Sequence, residues 1–169
     1  MKRYLQAVSD IGEVPLGELV RLGVKGLIFD LDNTLAPPHS ETAPPATLRF
    51  LAEVRRAGLA AVIVSNGRRP RVERLGRLMG LPVVARARKP FGRGYRWALL
   101  EMGLKASQVA AVGDHFLTDG LGALYQGIPL VLVDPMTSEE DFLVRAARPV
   151  DHILRRLALT RRERRSPRG

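Results

Sequence analysis

The chain has 169 residues, 27 of them Lys or Arg against 17 Asp or Glu, which gives a net charge of +10, and it has no cysteine. This length supports one domain with its own core, and the missing cysteine excludes disulfides, thiolate metal sites, iron–sulfur clusters and a cysteine nucleophile. Hydrophobic residues make up 46% of the chain but no apolar run reaches the ~20 residues of a membrane-spanning helix, so the sequence predicts a soluble or peripheral protein whose chemistry uses oxygen and nitrogen groups.

The opening MKRYLQAVSDIGEVP is basic, but Asp10, Gly12, Glu13 and Pro15 break it before an export-signal core develops, and no cleaved signal is expected. Residues 1–24 are read as lying outside the sheet, with Tyr4, Leu5, Val8, Leu16, Leu19, Val20 and Leu22 packing on the core. Short runs at 26–30, 59–64, 81–85, 109–113 and 128–133 are apolar throughout, the pattern of strands buried on both faces of a parallel sheet. Helices are expected between them at 45–57, with Leu48, Leu51 and Val54 inward, and at 70–79, 90–102 and 117–125. Gly58, Gly80, Gly103 and Gly127 directly follow these segments, where glycine closes helices. The order predicts an α/β fold: three layers around a mostly parallel five-stranded sheet with right-handed connections. One domain is expected over 1–160 with its core at 24–135. A further helix at 139–159 and a basic, disordered tail at 161–169 complete the reading.

Ligands of an open parallel sheet bind beyond the carboxyl ends of its strands. Here those ends carry Asp30-Leu31-Asp32-Asn33-Thr34, then Ser65-Asn66-Gly67, then Arg88-Lys89-Pro90, then Gly113-Asp114 followed by Thr118-Asp119. Several acids converging at buried strand ends need a cation, and an oxygen-only set fits Mg²⁺ together with a phosphate. A hydroxyl at a helix start, one lysine and a carboxylate able to form an aspartyl phosphate complete the equipment of phosphoryl transfer.

Asp30-Leu31-Asp32-Asn33-Thr34 resembles motif I, DxDx[TV], of the haloacid dehalogenase (HAD) superfamily. Ser65 matches motif II, Lys89 motif III, and Gly113-Asp114-His115-Phe116-Leu117-Thr118-Asp119 the GDxxxTD form of motif IV. The resemblance implies Asp30 as nucleophile and Asp32 as general acid and base. It implies Ser65, Lys89 and Asn66 as phosphate ligands, Asp114 with Asp30 and the Asp32 carbonyl as Mg²⁺ ligands, and Asp119 as a supporting carboxylate. The gaps at 36–59 and 66–88 leave no room for a cap domain. GVKGLIFDLDNTLAP, IVSNG and GDHFLTDGLGALYQGIPLVLV are further similar to the YqeG-like subgroup, subclass IIIA, which includes a mitochondrial phosphatidylglycerophosphatase. His115 departs from the residue usual after the motif IV Asp. His39, His115 and His152 do not form metal-ligand spacing.

The charge is local. Residues 68–96 hold ten basic residues against Glu73, a net of +9; 161–169 carry +4 and the remainder −3. With 23 Arg and only 4 Lys in the chain, Lys89 between arginines also points to a required ammonium. The +9 stretch is read as rimming the site and facing a polyanion, an anionic phospholipid surface ahead of nucleic acid, since aromatics are few there. The expectation is a Mg²⁺-dependent phosphatase, cytoplasmic and peripheral on the inner membrane face, with phosphatidylglycerophosphate as the leading substrate. Soluble or nucleic-acid phosphates are the alternative substrates, and a noncatalytic RNA-binding scaffold on the same fold is the alternative class.

Overall fold

The computed structural model describes residues 5–137 together with 149, 150 and 153. Most of the expected 139–159 helix, the 161–169 tail, Tyr4 and His152 lie outside them. Among the described residues six parallel strands, not five, form one sheet: β1 (Leu5–Val8), β2 (Gly26–Phe29), β3 (Ala60–Val64), β4 (Val83–Val84), β5 (Val109–Gly113) and β6 (Leu130–Val133), in the order β1-β6-β5-β2-β3-β4. The added strand corrects the placing of residues 1–24 outside the sheet. β1 lies parallel to β6 with Leu5 opposite Leu130 and Val8 opposite Val133. As an edge strand with one buried residue of four, it lacks the continuous apolar run that marks the interior strands.

Five helices connect the strands: α1 (Leu16–Arg21), α2 (Pro45–Arg56), α3 (Arg69–Met79), α4 (Arg93–Met102) and α5 (Leu121–Gln126). Alternation along β2 shows how they divide. Leu27 and Phe29 face a core built with α1, α2 and α3, where Phe50 meets Phe29 edge to face at 6.0 Å. Ile28 faces the opposite core, with Tyr95 and Ala98 of α4 and Ala123 of α5. On α2 the buried face is Thr47, Phe50, Leu51 and Val54, so Leu48 falls at its exposed margin rather than inward. At the N-terminal end Leu5 and Leu19 are buried as expected, whereas Val20 and Leu22 are exposed.

Helix ends follow the sequence closely. Gly58, Gly80, Gly103 and Gly127 all take left-handed φ between 63° and 70°, the conformation a β-carbon resists. The segment expected to be helical over 117–125 divides into a widened π turn, Phe116–Gly120, and α5. Between β2 and β3 stand a loop and α2, and between β3 and β4 stands α3, so no cap interrupts either connection.

Candidate active site

The winding reverses at β2, which has β5 on one side and β3 on the other. Asp30 leaves β2 at this switch point, its N–H donating to the Val112 carbonyl at 2.9 Å. The chain then folds back on itself. Asn33 adopts φ 61°, which asparagine tolerates better than most residues, and its N–H donates to the Ala36 carbonyl at 2.8 Å.

Lys89 reaches the same place from the loop after β4. Arg86 and Arg88, at φ 52° and 55°, alternate with Ala87 and Lys89, so that the two arginines face outward while Ala87 and Lys89 are buried. The Lys89 ammonium donates to a carboxylate oxygen of Asp30 and to Asp119 Oδ1 at 2.6 Å. Its backbone is held on both sides by Asn66, whose Oδ1 accepts from the Lys89 N–H at 2.7 Å and whose Nδ2 donates to the Lys89 carbonyl at 3.3 Å. Asn66, grouped with the phosphate ligands on sequence, is thus found bracketing the lysine.

Ser65 is buried at the end of β3 and its Oγ accepts from the Gly67 N–H at 3.0 Å. A β-carbon on Gly67 would stand 3.0 Å from Ser65 Oγ, 3.1 Å from Val72 Cγ2 and 3.4 Å from Asp32 Oδ2, so the bare Gly67 backbone lets the Ser65 hydroxyl and the Asp32 carboxyl approach the same spot. Asp114 ends β5, buried. Asp119 returns from the π turn: its Oδ2 accepts from the His115 N–H at 3.3 Å, and Tyr95 Oη donates to its carbonyl at 3.2 Å. Gly113 makes room for it, since a β-carbon there would sit 2.5 Å from the Asp119 carboxyl carbon.

Asp30, Asp114 and Asp119 each present an oxygen within 4.8 Å of the others. Three carboxylates against the single Lys89 ammonium leave excess negative charge in a buried volume, and a hard divalent cation with oxygen ligands matches both the charge and the donors. The electrostatics agree. Burial, reinforced by Asp119 and opposed by Lys89, pushes the Asp30 carboxyl up to about 6. Burial and then Asp30 raise Asp32 as well, with Arg71 pulling the other way. For Lys89 burial opposes the charge, but Asp119 and Asp30 outweigh it and hold the ammonium above its ordinary value.

Of the sequence-derived residues, Asp30, Lys89, Asp114 and Asp119 come together directly, with Ser65 Oγ and Asp32 Oδ2 both on the Gly67 side. His115 is buried and His39 exposed, and neither joins the carboxylate cluster. Sequence reasoning missed Arg71, Gly67, Gly113 and Tyr95. Arg71 belongs to the 68–96 stretch that the sequence reads as facing a polyanion; instead its Nη1 donates to Asp32 Oδ1 at 2.6 Å.

A family model described as mitochondrial PGP phosphatase matches residues 5–137. A Bacillus subtilis protein described as "Probable phosphatase YqeG" is 35% identical over 144 residues, covering 85% of this chain and 84% of its own length. Phosphatidylglycerophosphate phosphatase 1, chloroplastic, of Chlamydomonas reinhardtii is 34% identical over 86% of this chain, which spans 58% of that protein. Among solved structures, a HAD family hydrolase from Deinococcus radiodurans with bound phosphate and sodium superposes with a TM-score of 0.53 at 19% identity, covering 75% of this chain and 88% of its own. That likeness establishes the fold.

Proposed function

The chain belongs to the mitochondrial PGP phosphatase family, phosphatases on a HAD fold, and from that premise we propose that it hydrolyses a phosphomonoester through a covalent phosphate on Asp30, the ester being that of a phospholipid head group such as phosphatidylglycerophosphate. The observation that carries this reading is the buried contact of Asp30 with Lys89, inside the cluster shared with Asp114 and Asp119.

A carboxylate oxygen of Asp30 attacks phosphorus, forming a new P–O bond while the bond to the alcohol oxygen breaks. Asp32 gives its proton to that departing oxygen. Asp32 then takes a proton from water, whose oxygen attacks the phosphoaspartate and releases inorganic phosphate, restoring both carboxyls. Lys89 neutralises Asp30 before attack and the phosphate oxygens afterwards, and Ser65 Oγ hydrogen-bonds one of those oxygens. Mg²⁺ held by Asp30, Asp114 and the Asp32 carbonyl, with Asp119 in support, would supply further neutralisation of the phosphate when bound. With no cap, no inserted domain stands between a lipid surface and the strand ends.

The surface supports the same substrate class. Arg68, Arg86, Arg88, Arg93 and Arg96 are exposed and make no side-chain ion pair among the described residues, and Phe91 beside them is 72% exposed. Basic side chains near an anionic bilayer contribute about 1 kcal/mol each. No helix among the described residues is long and apolar enough to cross a membrane, and the contact proposed is a peripheral one.

A side-by-side hydrolysis panel of phosphatidylglycerophosphate, nucleotides and sugar phosphates, with Mg²⁺ and with Asp30→Asn as control, tests the proposal. Preferential release of phosphate from the lipid, abolished in Asp30→Asn, is expected. Turnover that survives Asp30→Asn would overturn the mechanism, and preference for a soluble phosphate would overturn the substrate class.

A further inference from the structure

Arg71 stands in the first turn of α3, the positive end of the helix dipole, where an arginine is disfavoured unless local contacts compensate. Its contacts are specific. Nη1 donates to Asp32 Oδ1 at 2.6 Å, Nη2 to the Pro37 carbonyl at 3.0 Å and Nε to the Ser40 carbonyl at 2.9 Å. All three acceptors belong to the stretch that follows Asp30, and the arginine side chain is only 16% exposed. One turn further along α3, Arg74 pairs with Glu41 of the same loop at 2.6 Å. A planar guanidinium can meet three acceptors in fixed directions, which a lysine ammonium on a flexible stem cannot do.

These contacts decide which oxygen of Asp32 is available. Oδ1 is taken by Arg71, whereas Oδ2 is the oxygen on the Gly67 side, where a β-carbon would stand 3.4 Å from it and 3.0 Å from Ser65 Oγ. Resting on the Asp30 chemistry set out above, we propose that Arg71 is the positioning residue for Asp32: it holds one carboxyl oxygen so that the other faces Gly67 beside Ser65, and it ties that orientation to the 37–41 loop. Proton transfer to the leaving group then proceeds from Oδ2. In a protein without a cap, α3 supplies from within the core the grip on the motif I loop.

A contribution to proton transfer is visible only where the leaving group needs the proton, which separates positioning from general damage. The test compares kcat/KM, which reports steps up to departure of the alcohol, for phenyl phosphate and for p-nitrophenyl phosphate, whose phenolate leaves readily unprotonated. General acids contribute about 10²–10⁴-fold, so Arg71→Met is expected to lower kcat/KM for phenyl phosphate by roughly 30-fold or more and for p-nitrophenyl phosphate by less than about 3-fold. Arg71→Lys, which keeps the charge, is expected to show the same selective loss. In an Asp32→Asn background Arg71→Met should have little further effect, because coupled residues are not additive. Equal losses on both substrates, no loss in Arg71→Lys, or multiplicative losses in the double variant would overturn the proposal. Should wild type turn over both esters without phosphorylation of Asp30 detectable by mass spectrometry, the underlying reading falls, and the proposal with it.

Discussion

Within residues 68–96 the chain uses basic side chains in two opposite ways. Lys89 and Arg71 turn inward, each against carboxylates at 2.6 Å, while Arg68, Arg86, Arg88, Arg93 and Arg96 stand in solvent without an acidic partner among the described residues. Composition makes these residues alike and burial makes them different. A buried cation fixes the state and direction of one carboxylate, whereas exposed cations act together as a field that salt screens.

Replacing the buried member should have the largest effect. Lys89→Met leaves the Asp30 and Asp119 carboxylates facing each other without their ammonium, and breaking a buried pair costs about 3–5 kcal/mol. Urea unfolding should show a loss of that order, partly restored by Mg²⁺, with phosphatase activity lost. Unchanged stability would mean that the inward cations are no more embedded than the outer ones.

The acidic side of the pair gives a pH test. Asp30 lies at about 6 in the folded chain against 3.8 ordinarily, so the folded state holds that proton more tightly than the unfolded state does. This contribution is present in full below about pH 4 and is lost as pH rises through about 6. At 1.36 kcal/mol per pKa unit it amounts to roughly 1–3 kcal/mol. Denaturant midpoints of chelator-treated protein between pH 4.5 and 7, referred to Asp30→Asn, should fall with rising pH by this amount. A flat difference would contradict the burial argument.

Gly113→Ala sharpens the comparison from the backbone side. A methyl 2.5 Å from the Asp119 carboxyl carbon forces that carboxylate away from Lys89, with an expected loss of about 1–3 kcal/mol and weaker Mg²⁺ binding by calorimetry. The smallest stability effect belongs to the rim. Arg88→Gly removes a charge at φ 55°, a backbone conformation glycine accepts freely, so stability should stay within about 0.5 kcal/mol. Co-sedimentation with vesicles containing phosphatidylglycerol should nevertheless weaken by about fivefold, the ~1 kcal/mol of one basic residue. An unchanged vesicle affinity would remove the rim from the membrane reading.

Much of this was legible in sequence for a local reason. Buried parallel strands are apolar runs, helix ends carry glycine, and the acids stand next to those runs, so Asp30, Ser65, Lys89 and Asp114 could be assigned to one edge. What escaped reading depends on distant neighbours. Arg71 and Asp32 are 39 residues apart, and nothing near Arg71 separates it from the arginines around it. Gly67 and Gly113 look like turn residues until the Ser65 hydroxyl and the Asp119 carboxylate are seen in the space their side chains would fill. β1 escaped because an edge strand needs only one buried position.

That edge strand also sets an order of events. β1 pairs with β6, Leu5 opposite Leu130, so the first of the six strands to be made has its sheet partner in the last. At ribosomal rates of about 5–20 residues per second, roughly 6–25 s separate the emergence of the two strands. Throughout that interval the β2, β3 and β5 centre can assemble around Asp30 while Leu5–Val8 waits undocked, and closure of the sheet at this edge becomes the step that joins its first and last strands.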